Sequence, residues 1–483
     1  MAHPAEPIIL SALGTGAQSV FVSRAAWYSV GMHDLPRRPS VSWPGAASLI
    51  ALGLLVMGCA VRFAVHDELT AGYLFFYYPS PISDMAIHLD LARSVTAGHP
   101  AQAVLYTNPG YYHLLALVLW LGGDQETIFS LQMLIGASLG PFLFLTLRRA
   151  GFGMAAAAFA GAFLALNQSF VFLEQFLLLE PIHAACFTML IAALIGLRPG
   201  RSSTAAVVLP MAALHLLRPN IVLFWPVVLW RARRRGCSGR ALALMIALWL
   251  PVLFVAPALT WLRSGECVFS TQNLGDNFFI GNHAGANGTF QAGEAFHRTR
   301  KEAEALPPAE RTSHWIRAAI RSWDSPWGWI RLTLRKVALV WGPWELPSNV
   351  SLQAMEEISP TLAGPVLIRF GTLAPLGLAG MFLLLLNRNE SRKRDLGKLL
   401  LAGSLVLTLM IAVFFVLGRY RLPLAILLAI GAGQAIATFV SAPRARWGII
   451  LAVLGLWLLV NGPLDQSASP AITPYGFPPR LRY

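Results

Sequence analysis

Long apolar runs separated by short polar stretches dominate the chain from residue 45 to residue 462. A helix that crosses a bilayer needs roughly 17–25 mostly apolar residues, and fewer where it packs inside a bundle. Eleven segments qualify: 45–65, 127–147, 153–171, 181–197, 203–217, 219–230, 241–262, 365–387, 398–417, 421–440 and 447–462. The two runs between 203 and 230 are short on either side of Arg218-Pro219, where the proline marks a turn or kink. A further run, 109–121, spans only about thirteen residues and reads as a helix lying on the membrane surface. The pattern predicts an all-α polytopic membrane protein.

Charge gives the chain its sidedness. Only 12% of the 483 residues are charged and 56% are hydrophobic, too little polar surface for a soluble enzyme of this size. The net charge of +14 comes from basic clusters at Arg37-Arg38, Arg148-Arg149, Arg198 with Arg201, Arg231 to Arg240, Arg388 to Lys398, and Arg444 with Arg446. If 109–121 stays on the surface, every cluster falls on one side of the membrane. The positive-inside rule makes that side the cytoplasm. The bases then face anionic lipid rather than nucleic acid, the amino terminus is cytoplasmic and the carboxy terminus lies outside. The acids agree: of 23, all but Glu6, Asp34, Glu390 and Asp395 fall outside. The expected setting is a bacterial cytoplasmic (inner) membrane with the chemistry on its outer face.

Five regions follow: a cytoplasmic segment 1–44, a membrane module 45–262 with an outer loop at 66–126, an outer region 263–364, carboxy-terminal membrane helices 365–462, and an outer tail 463–483. Residues 1–31 lack a basic n-region and read as an extension ahead of a more natural start at Met32. The outer region begins with a Gly- and Asn-rich stretch that reads as loop, then turns helical from about Pro308 to Val340 with a break at Asp324-Ser325-Pro326. No internal repeat is apparent. The cysteines (Cys59, Cys186, Cys237, Cys267) are scattered without a CxxC, so neither a disulfide framework nor a zinc site is indicated.

Candidate chemistry sits in the outer loops. In "SPISDMAIHLDLARSVTAGHP", Met85, Leu89, Ala92 and Val95 recur at three and four, which makes an interfacial amphipathic helix. Ser83 is its expected N-cap, and Asp84 stands in the first turn, where the helix dipole favours an acid. His88, one turn on, shares that face, placed to orient Asp84 or to ligate a metal with it. Glu180 precedes Pro181 at the start of a span, and a carboxylate against "FLLLEP" is costly unless partnered. Glu174 reads as a solvated interfacial charge. Arg218, Arg419 and Arg421 lie on the outer side against the charge rule. Guanidinium groups there suit phosphate, although snorkelling to lipid headgroups is the simpler use. The sequence has no GxxxxGK[ST], no GxGxxG after a strand, no HExxH, no GxSxG and no Asp-x-Asp, so a soluble nucleotide-sugar donor is unsupported.

In order and spacing these motifs resemble the GT-C membrane glycosyltransferases, in particular the glycosyltransferase family 39-like branch with protein O-mannosyltransferases and the aminoarabinose transferases of lipid A. The resemblance is carried by Asp84, His88, Ala92-Arg93 and Gly98, then Asn108-Pro109-Gly110-Tyr111-Tyr112, Glu180-Pro181, Arg218-Pro219 and Arg419-Tyr420-Arg421-Leu422-Pro423. The stretch 277–290, with Asn277 and Asn282, resembles a loop of bacterial members. Asn108 stands where the lipid A branch has a lysine, so lipid A is not carried over as acceptor.

The resemblance implies a GT-C fold and transfer of a sugar from a polyprenyl-phosphate carrier to a protein, lipid or glycan acceptor outside the cytoplasm. Asp84 is the expected base of an inverting displacement and Glu180 its companion acid. His88, Asn108, Arg218, Arg419, Tyr420, Arg421, Asn277 and Asn282 are expected to contact substrate. No metal ligand set is assigned. Asp84, His88 and His283 are the nearest candidates for a divalent cation. The competing readings are a transporter or flippase of lipid-linked sugars and an outer-face oligosaccharide polymerase or ligase. A coupled transporter would need ionisable groups inside its spans.

Overall fold

The computed structural model describes residues 45–461 except 74–75, 82, 100–101, 267 and 269–270. The expectations for residues 1–44, Cys267 and the tail 463–483 lie outside the described residues. The chain divides at Ser48 and Leu49, and every contact given below lies within the second unit.

Among the described residues the regular structure is all helical, apart from one isolated bridge between Asn167 and Ile368. Among the described residues six helices are long and apolar enough to cross a membrane: Ala46–Gly72, Gln125–Arg149, Gly239–Ser264, Ser391–Ala412, Gly418–Ser441 and Pro443–Asn461. Met154–Ala165, Glu180–Gly196, Arg201–Leu217 and Phe370–Leu386 are shorter apolar helices. These ten correspond to ten of the eleven expected segments. The eleventh, 219–230, is instead a 3-10 turn Pro219–Phe224 running into the helix Trp225–Arg234. Prolines at the start of both pieces break the run.

Small residues let the inner helices approach to backbone distance. A Cβ at Gly380 would fall on the Gly431 carbonyl, and one at Gly433 on that of Ala156. Gly140 and Gly161 face one another in the same way. Among helices in lipid this packing replaces the hydrophobic effect as the force that holds them together. By contrast, Ala46–Gly72, Gly239–Ser264 and Pro443–Asn461 keep most of their apolar surface open, as lipid-facing helices do.

Two further expectations change. Segment 153–171 is not one helix: it stops at Ala165 and restarts as Gln168–Leu173, because Asn167 caps the second piece through the Phe170 amide and pairs with Ile368. The Gly- and Asn-rich stretch is not all loop either. Asn273–Asn282 is a helix, since Phe279 packs on Ala303, Trp315 and Ala319 while Ile280 packs on Phe415 and Leu417. Burial there overrides weak helix propensity. Beyond it lie Glu294–Glu304, Pro308–Arg321 and, after the expected break, Pro326–Trp341. The short run expected at 109–121 forms the helix Pro109–Trp120, with Tyr111, Tyr112 and Leu115 buried and Leu117 and Trp120 exposed.

Candidate active site

Asp84 opens the helix Asp84–Thr96, whose N-cap Ser83 accepts the Ala86 amide hydrogen. Glu180 opens Glu180–Gly196, with Pro181 fixing the entry. Arg218 sits at the joint between Arg201–Leu217 and the 3-10 turn. Arg419 and Tyr420 belong to a 3-10 turn, Gly418–Arg421, at the head of Leu422–Ser441. Four separate helix ends thus deliver the charges to one place.

There the acids and arginines alternate. Arg419 Nη1 lies 2.7 Å from Asp84 Oδ2, and its Nε lies 3.4 Å from Glu180 Oε1. Arg218 pairs with the same Glu180 oxygen. Tyr420 lies between the arginines, with Arg218 Cζ 4.3 Å and Arg419 Cζ 5.4 Å from its ring centre, each within cation–π range. Glu180 is only 3% exposed, whereas the Asp84 side chain is 42% exposed and stands where a ligand can reach it. Glu180 Oε2 is buried and accepts no hydrogen bond, an acceptor suited to a hydroxyl group.

A residue the sequence reading missed completes the clamp on Asp84. Asn349 donates through Nδ2 to Asp84 Oδ2 at 3.0 Å and accepts the Asp84 backbone N–H through Oδ1 at 3.2 Å. The partial burial of Asp84 favours the neutral acid, but the Arg419 charge, His88 and the hydrogen bonds from Asn349 and Arg419 outweigh it. The net effect holds the carboxyl well below the usual carboxylate range. His88 is held below its ordinary value, chiefly by burial; Asp84 and Glu180 oppose this and Arg419 and Arg218 add to it. The His88 ring meets Tyr111 edge-on at 5.0 Å, and Tyr111 in turn donates to Gln132 at 2.6 Å. Nothing in the sequence distinguishes Asn349 from other loop asparagines; only its contact does.

Asp84, His88, Glu180, Arg218, Arg419 and Tyr420 are thus brought together, and other expected residues are engaged elsewhere. Arg421 is fully buried, donating to the Gly342 and Trp344 carbonyls at 2.6 and 2.5 Å and pairing with Glu345 at 3.1 Å. It fastens the segment that carries Asn349. Asn282 is saturated: its amide donates to the Phe278 and Val413 carbonyls, and its Oδ1 accepts from Lys336 and Trp329. Asn108 stands half-buried at the head of Pro109–Trp120, and the Asn277 amide hydrogen goes to Asp276. Among the described residues, no contact joins either to the cluster.

The reading of Glu174 is overturned. It is 1% exposed and paired with the fully buried Arg62 of the first span. A carboxylate in such a place persists only because that partner is present. Among the described residues no three His, Cys, Asp or Glu side chains converge as a metal set. His283 stacks on Phe279 and accepts from the Gly285 amide.

No family model and no curated protein matches the chain. Among solved structures, it is similar to the oligosaccharyltransferase AglB of Archaeoglobus fulgidus, crystallised with a tethered acceptor peptide, at 13% identity and a TM-score of 0.43; the match covers 86% of this chain and 54% of that one. It is also similar to AglB in complex with an inhibitory peptide and a dolichol-phosphate (14% identity, TM-score 0.39, 86% and 55% covered). A third similar structure is ArnT of Cupriavidus metallidurans bound to undecaprenyl phosphate (16% identity, TM-score 0.35, 82% and 80% covered). The chain therefore spans little more than half the length of the archaeal enzyme. At these scores the likeness is loose, and the chain's own residues carry the functional reading.

Proposed function

We propose that this chain is a polytopic membrane glycosyltransferase of GT-C type, which moves a sugar from a polyprenyl-phosphate carrier to an acceptor on the outer face of the membrane. The observation that carries the reading is the cluster itself. An ionised, accessible Asp84 stands beside two arginines that remain partly open and a buried Glu180 with an unused acceptor oxygen.

In the proposed reaction the acceptor hydroxyl oxygen attacks the anomeric carbon and its proton passes to Asp84. The bond from that carbon to the carrier phosphate breaks on the opposite side, and its electron pair leaves on the phosphate oxygen. One base suffices and configuration inverts. No general acid is required, because the phosphate is a good leaving group whose charge Arg218 and Arg419 meet with guanidinium donors. Glu180 takes a hydroxyl of the sugar or acceptor.

A carboxylate held far below neutral pH is a weak base, and the geometry supplies a remedy. Arg419 is shared between Asp84 and Glu180. A donor phosphate that draws Arg419 onto itself weakens its hold on Asp84 and raises the basicity of that carboxylate when substrate is in place.

The test uses purified protein in nanodiscs with a panel of radiolabelled undecaprenyl-phosphate monosaccharides, following release of undecaprenyl phosphate. Release by wild type that is abolished in Asp84→Asn, with unchanged thermal stability, supports both class and base. Release that survives the substitution sinks the base assignment. No release with any donor from folded protein favours the transporter and polymerase readings.

A further inference from the structure

At the end of the bundle away from Asp84, arginines join three helices. Glu180–Gly196 runs from Glu180 in the acid–arginine cluster to Leu194 and Ile195 at its other end, about 21 Å along the axis. Arg231 and Arg235 come from the end of Trp225–Arg234, and Asp395 from the start of Ser391–Ala412. Arg231 donates through Nε to the Leu194 carbonyl at 3.1 Å and through Nη1 to the Asp395 carbonyl at 3.4 Å. Arg235 Nη2 donates to the Ile195 carbonyl at 3.4 Å. So far this is helix capping, with cations meeting the negative end of a helix dipole. Two donors are left over. Arg231 is 1% exposed, and its Nη2 is buried without an acceptor, as is Arg235 Nε.

Neither guanidinium has a carboxylate partner among the described residues. Asp395 gives its carboxylate to Arg234 at 3.6 Å and only its backbone carbonyl to Arg231, and Glu390 is taken by Lys393 at 2.6 Å. Arg392 adds a further positive charge that acts on Arg235. Arg231, Arg234, Arg235 and Arg392 therefore share one acid. A buried guanidinium left with peptide carbonyls alone is costly, whereas an anion that accepts from its free donors relieves both the charge and the orphaned hydrogen.

We infer that Arg231, Arg234 and Arg235 form a phosphate site, filled by the headgroup of an anionic phospholipid in the leaflet opposite Asp84. The site lies where Ser391–Ala412 passes from Ser391-Arg392-Lys393-Arg394 into its apolar run at Leu396, the level at which lipid phosphates meet basic side chains. Arginine forks match phosphate oxygens. Phosphatidylcholine offers the same phosphate, but with a choline cation that the surplus of arginines repels. The helices tied here carry Glu180 and, through the 3-10 turn Pro219–Phe224, Arg218 at their other ends, so a bound headgroup clamps two of the elements that frame the acid–arginine cluster.

The full chain is reconstituted in phosphatidylcholine nanodiscs doped with phosphatidylglycerol that carries a photoreactive group near its headgroup, irradiated, digested and mapped. Adducts are expected on 192–198, 228–240 and 391–398. They should be about 5-fold fewer in Arg235→Gln and about 30-fold fewer when Arg234→Gln is added, as the attraction of one and two basic side chains to an anionic lipid implies. Both variants leave the buried Arg231 in place, and lysine at both positions should keep most of the labelling, which separates lost charge from lost fold. Equal labelling by a phosphatidylcholine probe, or undiminished labelling of the double glutamine variant, overturns the site. Inorganic phosphate at matched ionic strength should leave the adducts unchanged; if it removes them, free phosphate is the ligand and the lipid assignment is overturned.

Discussion

Arg419→Gln isolates the electrostatic design of the site. In the wild type Arg419 lies 2.7 Å from Asp84 and is the main influence opposing burial of that carboxyl. An arginine at such range lowers a carboxylate pKa by about 1–3 units, with the smaller figure apt for a side chain this exposed. The ionised form of Asp84 is the active one, so wild-type kcat/KM should stay level from pH 7 down through about 4, the ordinary carboxylate region. Removing Arg419 raises the pKa. The acid limb of kcat/KM should therefore move up by about 1–2 units, toward the ordinary carboxylate region. The same substitution deletes a donor to the departing phosphate, and the plateau should fall about 10²–10³-fold. Stability follows the same sign. Because the folded pKa is depressed, the pairing contributes above the unfolded carboxylate pKa and is lost as pH falls through the folded one.

The assay is the carrier-release measurement run as a pH series at low and at saturating donor, wild type beside Arg419→Gln. Donor engagement of Arg419 adds a second expectation. In the wild type the acid limb of kcat, which reports the complex, should lie above that of kcat/KM, which reports the free enzyme. In Arg419→Gln the two limbs should coincide. A limb that stays in place when Arg419 is removed would refute the assignment of Asp84 as base under Arg419 control. A wild-type kcat/KM limb at an unshifted carboxylate position would refute it equally.

Two further outcomes follow from particular contacts. Asn349→Ala removes one charge-assisted hydrogen bond at 3.0 Å and should lower kcat about 10–100-fold with little change in KM, moving the acid limb up by less than Arg419→Gln does; an unchanged profile would make Asn349 only a structural loop residue. Gly380→Ala sets a methyl against the Gly431 carbonyl between two inner helices, so the melting temperature in detergent should drop with a cost of about 1–3 kcal/mol, whereas Gly455→Ala, on the open final helix, should leave it unchanged.

The parts of this molecule that were legible in the sequence are those decided over short range. A span is legible because about twenty apolar residues need no partner to reveal themselves. The helix starts at Asp84 and Glu180 were legible because a serine or a proline beside each marks the boundary. The same short-range logic misread Glu174. The arginine that makes its burial tolerable lies 112 residues earlier, and room for its carboxylate comes from a third helix, where Gly136 has no side chain to occupy the space. Arg421 drew attention as a phosphate ligand through its charge, yet both of its Nη groups donate to the Gly342 and Trp344 carbonyls.

Arg421 also explains why Asn349 could not be found from its surroundings in sequence. Asn349 reaches Asp84 across 265 residues because segment 342–349 is fastened at both levels of the structure. Arg421 and Glu345 hold its first half against Gly418–Arg421, and the Gly418 amide donates to the Leu346 carbonyl at 3.0 Å. The turn that supplies Arg419 therefore also anchors the strap that supplies Asn349, and both converge on one carboxylate. Any movement of that turn on donor binding would shift the charge and the hydrogen bond on Asp84 together. This favours a base whose strength is set by the arrival of substrate over one fixed by the resting fold.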